Sequence, residues 1–197
     1  MFESGPDRIA AALAPRLARR SVALVGNAQS LAAQELGEEI DGSGLVLRLN
    51  TAPHMRPHSH GTRTDWLACS SFPPSRRVSD LGPGLLLWMS PKRRLLAKLR
   101  LGWRLPLLFY PRAWWRELST TLGSRPSTGM MTIDSLRRIG GFSELRLFGF
   151  DFFQSGSLST RHIAAPPPHD FAAERALVLK LMEQRPDIRL MGTEVRA

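Results

Sequence analysis

The sequence predicts an α/β layered domain with a mostly parallel sheet, and three observations carry that prediction. Short apolar runs, several closed by Gly or a polar residue, are too brief for helices and read as buried strands. They alternate with longer segments of helix-forming composition, the rhythm of a sheet covered by helices. The length, 197 residues and 22.0 kDa, suits one domain with a sizeable core, with neither an internal repeat nor a low-complexity linker to divide it.

Taken in order, residues 7–20 form a helix interrupted near Pro15, and 21–26 (SVALVG) a strand that ends in Gly. The stretch NAQSLAAQELGEEID reads as a loop and then a helix, and 44–49 (GLVLRL) as the second strand. Residues 62–68 and 84–89 give two more strands, separated by the turn-rich SSFPPSRRVSDLGPG. Residues 92–101 read as a short basic amphipathic helix, with Leu95, Leu96, Leu99 and Leu101 between Lys and Arg. Then come a strand at 105–110, a turn entering a helix over 127–139, and an apolar strand at 145–150. A Ser-, Gly- and Pro-rich loop (151–168), a helix (170–184) and a last strand (188–191) complete the chain.

Hydrophobic residues make up 43% and charged residues 22%, which excludes disordered and fibrous classes. One cysteine, Cys69, excludes an internal disulfide and suits a reducing compartment; without a basic neighbour it reads as buried filler rather than a nucleophile. The first 20 residues lack the apolar core of a secretory signal, and no run of about 18 uncharged apolar residues could span a bilayer. A cytoplasmic location is therefore expected. The net charge is +10, and residues 92–116 hold eight basic residues and no acidic one, interleaved with Trp103, Trp114 and Trp115. Such a composition suits peripheral contact with an anionic membrane, or else a solvated basic helix. Nucleic acid is not expected as a partner, since no helix-turn-helix, zinc-ligand or RNP pattern accompanies the charge.

In parallel sheets ligands bind outside the carboxyl ends of the strands. Four polar or Gly-containing clusters fall at such places: Gly26-Asn27, Arg48-Leu49-Asn50, Pro126-Ser127-Thr128-Gly129 and Gly149-Phe150-Asp151. Each alone could be a loop; together they outline one binding rim. Ser127 and Thr128 at a helix start cap free N–H groups, and the same N–H groups attract anions. Asn27 and Asn50 offer amides that both donate and accept, as a nucleoside requires, or else close turns. The stretch VGNAQS is not G-x-G-x-x-G, and PSTG is not a Walker loop. His169 stands just before a helix whose N-cap is Asp170, where the positive helix end favours the neutral imidazole of a general base; it could equally be a capping residue. Glu174 shares its face only if His169 lies outside the helix. Histidines 54, 58 and 60 sit beside prolines with no nearby carboxylate, so no metal site is expected.

Placed in order, these clusters resemble the sialylmotifs of glycosyltransferase family 29, the animal-type sialyltransferases. Residues 22–53 resemble the large sialylmotif in their G-N, G-x-E-I-D and R-x-N-x-A-P elements. Residues 125–151, from PSTGMM to LRLFGFD, resemble the small sialylmotif, and His169 to Glu174 matches the very small motif H-x4-E. The family's paired cysteines fall on Val22 and Phe142, so its bridge is absent, and only His162 stands near the third motif.

The resemblance implies one GT-A-like, Rossmann-type domain over residues 1–197. It implies an inverting, metal-independent enzyme with CMP-sialic acid as donor substrate, no separate cofactor and a glycan acceptor. By likeness, Asn27 and Asn50 hold the phosphate and ribose of CMP. Ser127, Thr128 and Gly129 meet the phosphate and sugar carboxylate, and Gly149 and Phe150 line the cytosine pocket. His169 deprotonates the acceptor, Glu174 supports that helix end, and His162 assists the departing phosphate. A short chain without bridge or anchor resembles a bacterial member acting on a lipid-linked glycan at the inner membrane, for surface polysaccharide or lipooligosaccharide. A transferase for another CMP-ulosonic acid, Kdo-like, and a non-catalytic CMP- or membrane-binding relative stay open.

Overall fold

The computed structural model describes residues 5–52, 56–71, 73–92, 105–156 and 168–192. Seven strands form one sheet: β1 (Ser21–Val25), β2 (Leu45–Leu49), β3 (Trp66–Cys69), β4 (Leu85–Trp88), β5 (Leu107–Phe109), β6 (Glu144–Phe148) and β7 (Ile188–Met191). All their pairings are parallel, and the order across the sheet is β5-β4-β3-β2-β1-β6-β7. The chain starts in the interior, winds outward to β5 and returns to place β6 on the other flank of β1. Registers are set by pairs such as Leu24 with Leu47 and with Leu147.

Alternation within the strands explains the layering. Val22, Leu24, Leu45, Leu47, Leu49, Leu85, Leu87, Leu145 and Leu147 point to one face. There they meet α1 (Pro6–Leu17), α5 (Arg112–Leu122), α6 (Thr128–Ile139) and α7 (Phe171–Gln184). Ala23, Val25, Val46 and Phe148 point the other way, toward Leu31 of a 3₁₀ turn (Gln29–Ala33) and Ile40 of α2 (Gly37–Asp41). Further along that face Leu67 and Leu86 pack on Val78 and Leu81 of α4 (Ser75–Leu81). Because both faces are covered, most strands are buried along their length, as parallel sheets require.

Several elements differ from the sequence reading. Helix α1 runs on through Pro15 to Leu17; Pro15 is exposed and lies in the last turn, while Ile9, Leu13 and Leu17 stay fully buried on one stripe. The turn-rich stretch contains α4, whose flanking Pro74 and Gly82 (φ 57°) are its caps. Helix α3 (Pro57–His60) and α5 also stand where none was predicted, α5 between Pro111 and a left-handed Gly123. Trp114 is buried and Trp115 packs against the same core, so neither is the outward-facing tryptophan that the membrane reading of 92–116 uses. Trp103 and most of the expected basic helix at 92–101 lie outside the described residues.

Candidate functional site

The strand order creates a switch point. The winding of the chain across the sheet reverses between β1 and β6, and the carboxyl ends flanking such a reversal are where open parallel sheets generally bind ligands. Gly26 closes β1, and its N–H donates to the Phe148 carbonyl at 2.7 Å. A Cβ at Gly26 would stand 2.3 Å from the Gly149 carbonyl oxygen, so the two turns abut backbone to backbone. Gly149 itself adopts φ 64°, and Phe150 follows it into the crevice. A Cβ on Gly129 would lie 2.9 Å from the Phe150 ring, and one on Gly26 would lie 3.2 Å from it. The ring is therefore seated between β1 and the start of α6.

The asparagines stand on the same edge. Asn27 Nδ2 donates to the Leu49 carbonyl at 3.2 Å, tying the end of β1 to the end of β2. Asn50 is left-handed (φ 54°), a conformation asparagine tolerates, and its N–H donates to the Ala68 carbonyl at 2.8 Å. Arg77 on α4 holds the next turn through the carbonyls of Thr51, at 2.8 Å, and Ala52. Ser70, just past β3, shares a 2.7 Å hydrogen bond with the Thr128 hydroxyl, which draws α6 onto the rim.

Two helices meet at residues 125–127. Ser127 is the N-cap of α6, its hydroxyl accepting the Met130 N–H at 3.1 Å. Glu174, only 3% exposed, takes both donors of Ser127: the N–H at 2.6 Å and the hydroxyl at 2.7 Å. Burial pushes the Glu174 carboxyl above its ordinary range, while the two bonds from Ser127 pull it back. Ser127 therefore has no donor left for a ligand. The first N–H groups of α6 without a partner among the described residues are those of Thr128 and Gly129.

His169 lies outside α7, before the Asp170 N-cap, whose carboxylate accepts the Ala173 N–H at 2.9 Å. Its Nδ1 is 2.7 Å from the Arg125 carbonyl oxygen. A carbonyl can only accept, so Nδ1 carries the proton of the neutral ring and Nε2 keeps the lone pair. Burial, aided by the charge of Arg125, moves the imidazole below its ordinary value, against the opposing carbonyl bond. The result is a neutral, oriented imidazole beside an anion-ready helix start.

Asp151, which the sequence placed on the rim without a role, is 8% exposed and organises the loop after β6. It accepts the N–H groups of Phe153 (3.1 Å) and Ser155 (3.0 Å), the Ser30 hydroxyl (3.0 Å) and the Ser155 hydroxyl. Phe152 and Phe153 are both left-handed, at φ 53° and 68°. That costs about 1–2 kcal/mol each, which the hydrogen bonds to Asp151 offset. The Phe153 ring stacks on Phe171 at 4.2 Å, and Phe171 lies 5.7 Å from the His169 ring. Composition signalled none of this, because only the fold brings loop and helix together.

Other parts of the motif stretches are scaffold. Arg48, 1% exposed, donates to the carbonyls of Arg63 (2.9 Å) and His60 (2.8 Å), and burial brings its guanidinium down to about 10. Asp41 receives the N–H groups of Thr62 and Arg63, and Gly37 lets the Pro57 backbone pass where a Cβ would stand 1.8 Å away. His60 is buried beside Ser59, and Cys69 is buried with its thiol pushed up to about 12, an inert state. His54 and His162 lie outside the described residues.

Fold and site together define a doubly wound α/β protein whose candidate site lies at the switch point of the sheet. The family model of glycosyltransferase family 29 (sialyltransferase) matches residues 6–77, a span that holds the large-motif stretch but neither the small nor the very small one. Among curated proteins no sequence matches. Several solved structures similar to this chain are sialyltransferases. A mammalian sialyltransferase is similar with a TM-score of 0.62 and 20% identity, over 94% of this chain and 77% of that one. A mammalian sialyltransferase in complex with Gal-beta-1-3GalNAc-ortho-nitrophenol gives 0.60 and 19%, over 94% and 78%. The sialyltransferase CstII from Campylobacter jejuni, in complex with cytidine-5'-monophosphate, gives 0.58 and 15%, over 88% and 79%. The chain has the sialyltransferase fold along nearly its whole length.

Proposed function

We propose that the chain is an inverting sialyltransferase that moves sialic acid from CMP-sialic acid to a glycan hydroxyl. The observation that carries this reading is His169, fixed by the Arg125 carbonyl so that Nε2 is the basic atom, next to the start of α6. His169 takes the acceptor proton as the acceptor oxygen bonds to the anomeric carbon. The bond from that carbon to phosphate breaks at the same time, and CMP leaves with the electron pair. The N–H groups of Thr128 and Gly129 receive the donor's negative charge, with Ser127 behind them in the grip of Glu174. Phe150 and Gly149 flank the base, and Asn27 and Asn50 serve ribose and phosphate. His162 is assigned to the leaving phosphate from the sequence alone. Structures of CstII with CMP, and with CMP and a trisaccharide acceptor, support a donor and an acceptor meeting on this fold.

No metal is used in this mechanism; the helix start supplies the electrostatics. We place the enzyme in a bacterial cytoplasm, where one buried free cysteine is at home, acting on a lipid-linked glycan of surface polysaccharide or lipooligosaccharide. With Trp114 buried and Trp115 packed against the core, membrane attachment rests on the charge of residues 92–116. Co-sedimentation with anionic liposomes, lost at high salt, is the expected outcome; no preference over neutral vesicles removes that part.

Calorimetric titration with CMP, AMP and UMP, with and without EDTA, tests the nucleotide site. Selective CMP binding that EDTA leaves unchanged is expected. Transfer assays with CMP-sialic acid and CMP-Kdo then separate the sialic acid reading from a relative using another ulosonic acid. His169→Ala should abolish transfer and leave CMP affinity nearly intact; unchanged turnover would remove His169 from the base role. Binding of CMP without transfer to any acceptor would leave a non-catalytic relative.

A further inference from the structure

We infer that Asp151 is a positioning residue for His169, acting through the loop after β6 and the Phe153–Phe171 stack. The inference rests on the proposed role of His169 as base, and it assigns a task to a buried carboxylate that touches no reacting atom. The carboxylate of Asp151 binds its own loop twice through backbone N–H groups, at Phe153 and Ser155, and reaches the 3₁₀ turn through Ser30. These bonds fix two consecutive phenylalanines in the left-handed region, where phenylalanine does not settle unaided. The second of them, Phe153, lies nearly parallel to Phe171, with 17° between the rings. Phe171 is the first residue of α7, and its ring is tilted 56° to His169 at 5.7 Å.

A continuous set of contacts thus runs from Asp151 through Phe153 and Phe171 to the imidazole. The Arg125 carbonyl holds one edge of the ring and sets its tautomer. The aromatic stack limits where the ring can swing. Among the described residues, the charge that acts on the ring is that of Arg125, from the segment before α6, and removing Phe153 does not change it. An asparagine at 151 keeps the shape but must turn its N–H₂ group either toward the Phe153 N–H or toward the donors of Ser155 and Ser30, so the loop loses part of its anchor.

The experiment follows the His169 ring by carbon-edited NMR across pH in the full chain, assigned with His169→Ala, beside kinetics with CMP-sialic acid. In the parent protein His169 should titrate below 6.5. In Asp151→Asn and Phe153→Ala its titration should rise toward 6.5, and kcat should fall about tenfold or more while KM for the donor stays within about twofold. Phe153→Trp, which keeps an aromatic face on Phe171, should restore both readouts. If Asp151→Asn fails to fold, Phe153→Ala decides alone, since it leaves the carboxylate and its bonds in place. Folded variants with unaltered His169 titration and kcat would overturn the proposal. If the parent protein transfers nothing, the titration still decides the positioning role, so failure of the functional reading is seen separately.

Discussion

Glu174 concentrates the logic of the site in one side chain. It takes a peptide N–H and a hydroxyl from the residue that caps α6, so Glu174→Ala would strand two donors in a buried place. A loss of about 1–3 kcal/mol in urea denaturation is expected, with weakened CMP binding, because the helix start loses its anchor. Glu174→Gln should lose less, since the amide oxygen still accepts and the Ser127 hydroxyl can turn to accept from the amide. His169 gives the pH dependence. Its folded-state pKa is depressed below 6.5, so its contribution to stability is present above 6.5 and is lost as pH falls through the lowered value. The base form persists over the same window. The acid limb of kcat/KM should therefore fall below pH 6.5, and a limb above that value would contradict the half-buried, carbonyl-held ring.

At the scale of elements, the turns after β1 and β6 are one joint. Gly26→Ala would set a methyl group against the Gly149 carbonyl at 2.3 Å, where only backbone could give way. Thermal unfolding should show a clear loss of stability, and CMP binding should fall with it, whereas Gly84→Ala, with its nearest neighbour at 3.7 Å, should change little. Elements that could be read in the sequence are those whose signals are local. The Ser127 and Asp170 caps, the apolar runs of β1, β2 and β6, and the Gly26-Asn27 turn all follow from short-range chemistry. Helices α4 and α5 were hidden because their Pro and Gly residues are caps that, out of context, read as turns, and α5 lies inside a basic stretch that drew attention to its charge. Charge counts along the chain do not say which side of a helix faces the sheet, and Trp114 and Trp115 turn out to pack on the core. Asp151 and the Arg125 carbonyl could not be found at all, since each acts on residues far away in sequence.

At the scale of the whole molecule, ligand binding and folding are coupled by mass action. If only the native chain binds CMP, nucleotide at about 100 times its Kd should stabilise the protein by roughly 2.7 kcal/mol. Melting curves with CMP against AMP would read this directly; equal shifts would show that the crevice does not distinguish the base. The order β5-β4-β3-β2-β1-β6-β7 has a further consequence, for the time of synthesis. Strand β1 ends at Val25, but the partner for its second edge begins only at Glu144. At translation speeds of about 5–20 residues per second, the ribosome needs on the order of ten seconds to bridge that interval. During it, the apolar strand that will become the middle of the sheet offers an open row of N–H and C=O groups to any passing extended chain. The start of α6 is made just before β6, so the nascent protein acquires that part of the candidate site and loses its exposed edge in the same brief stretch of translation.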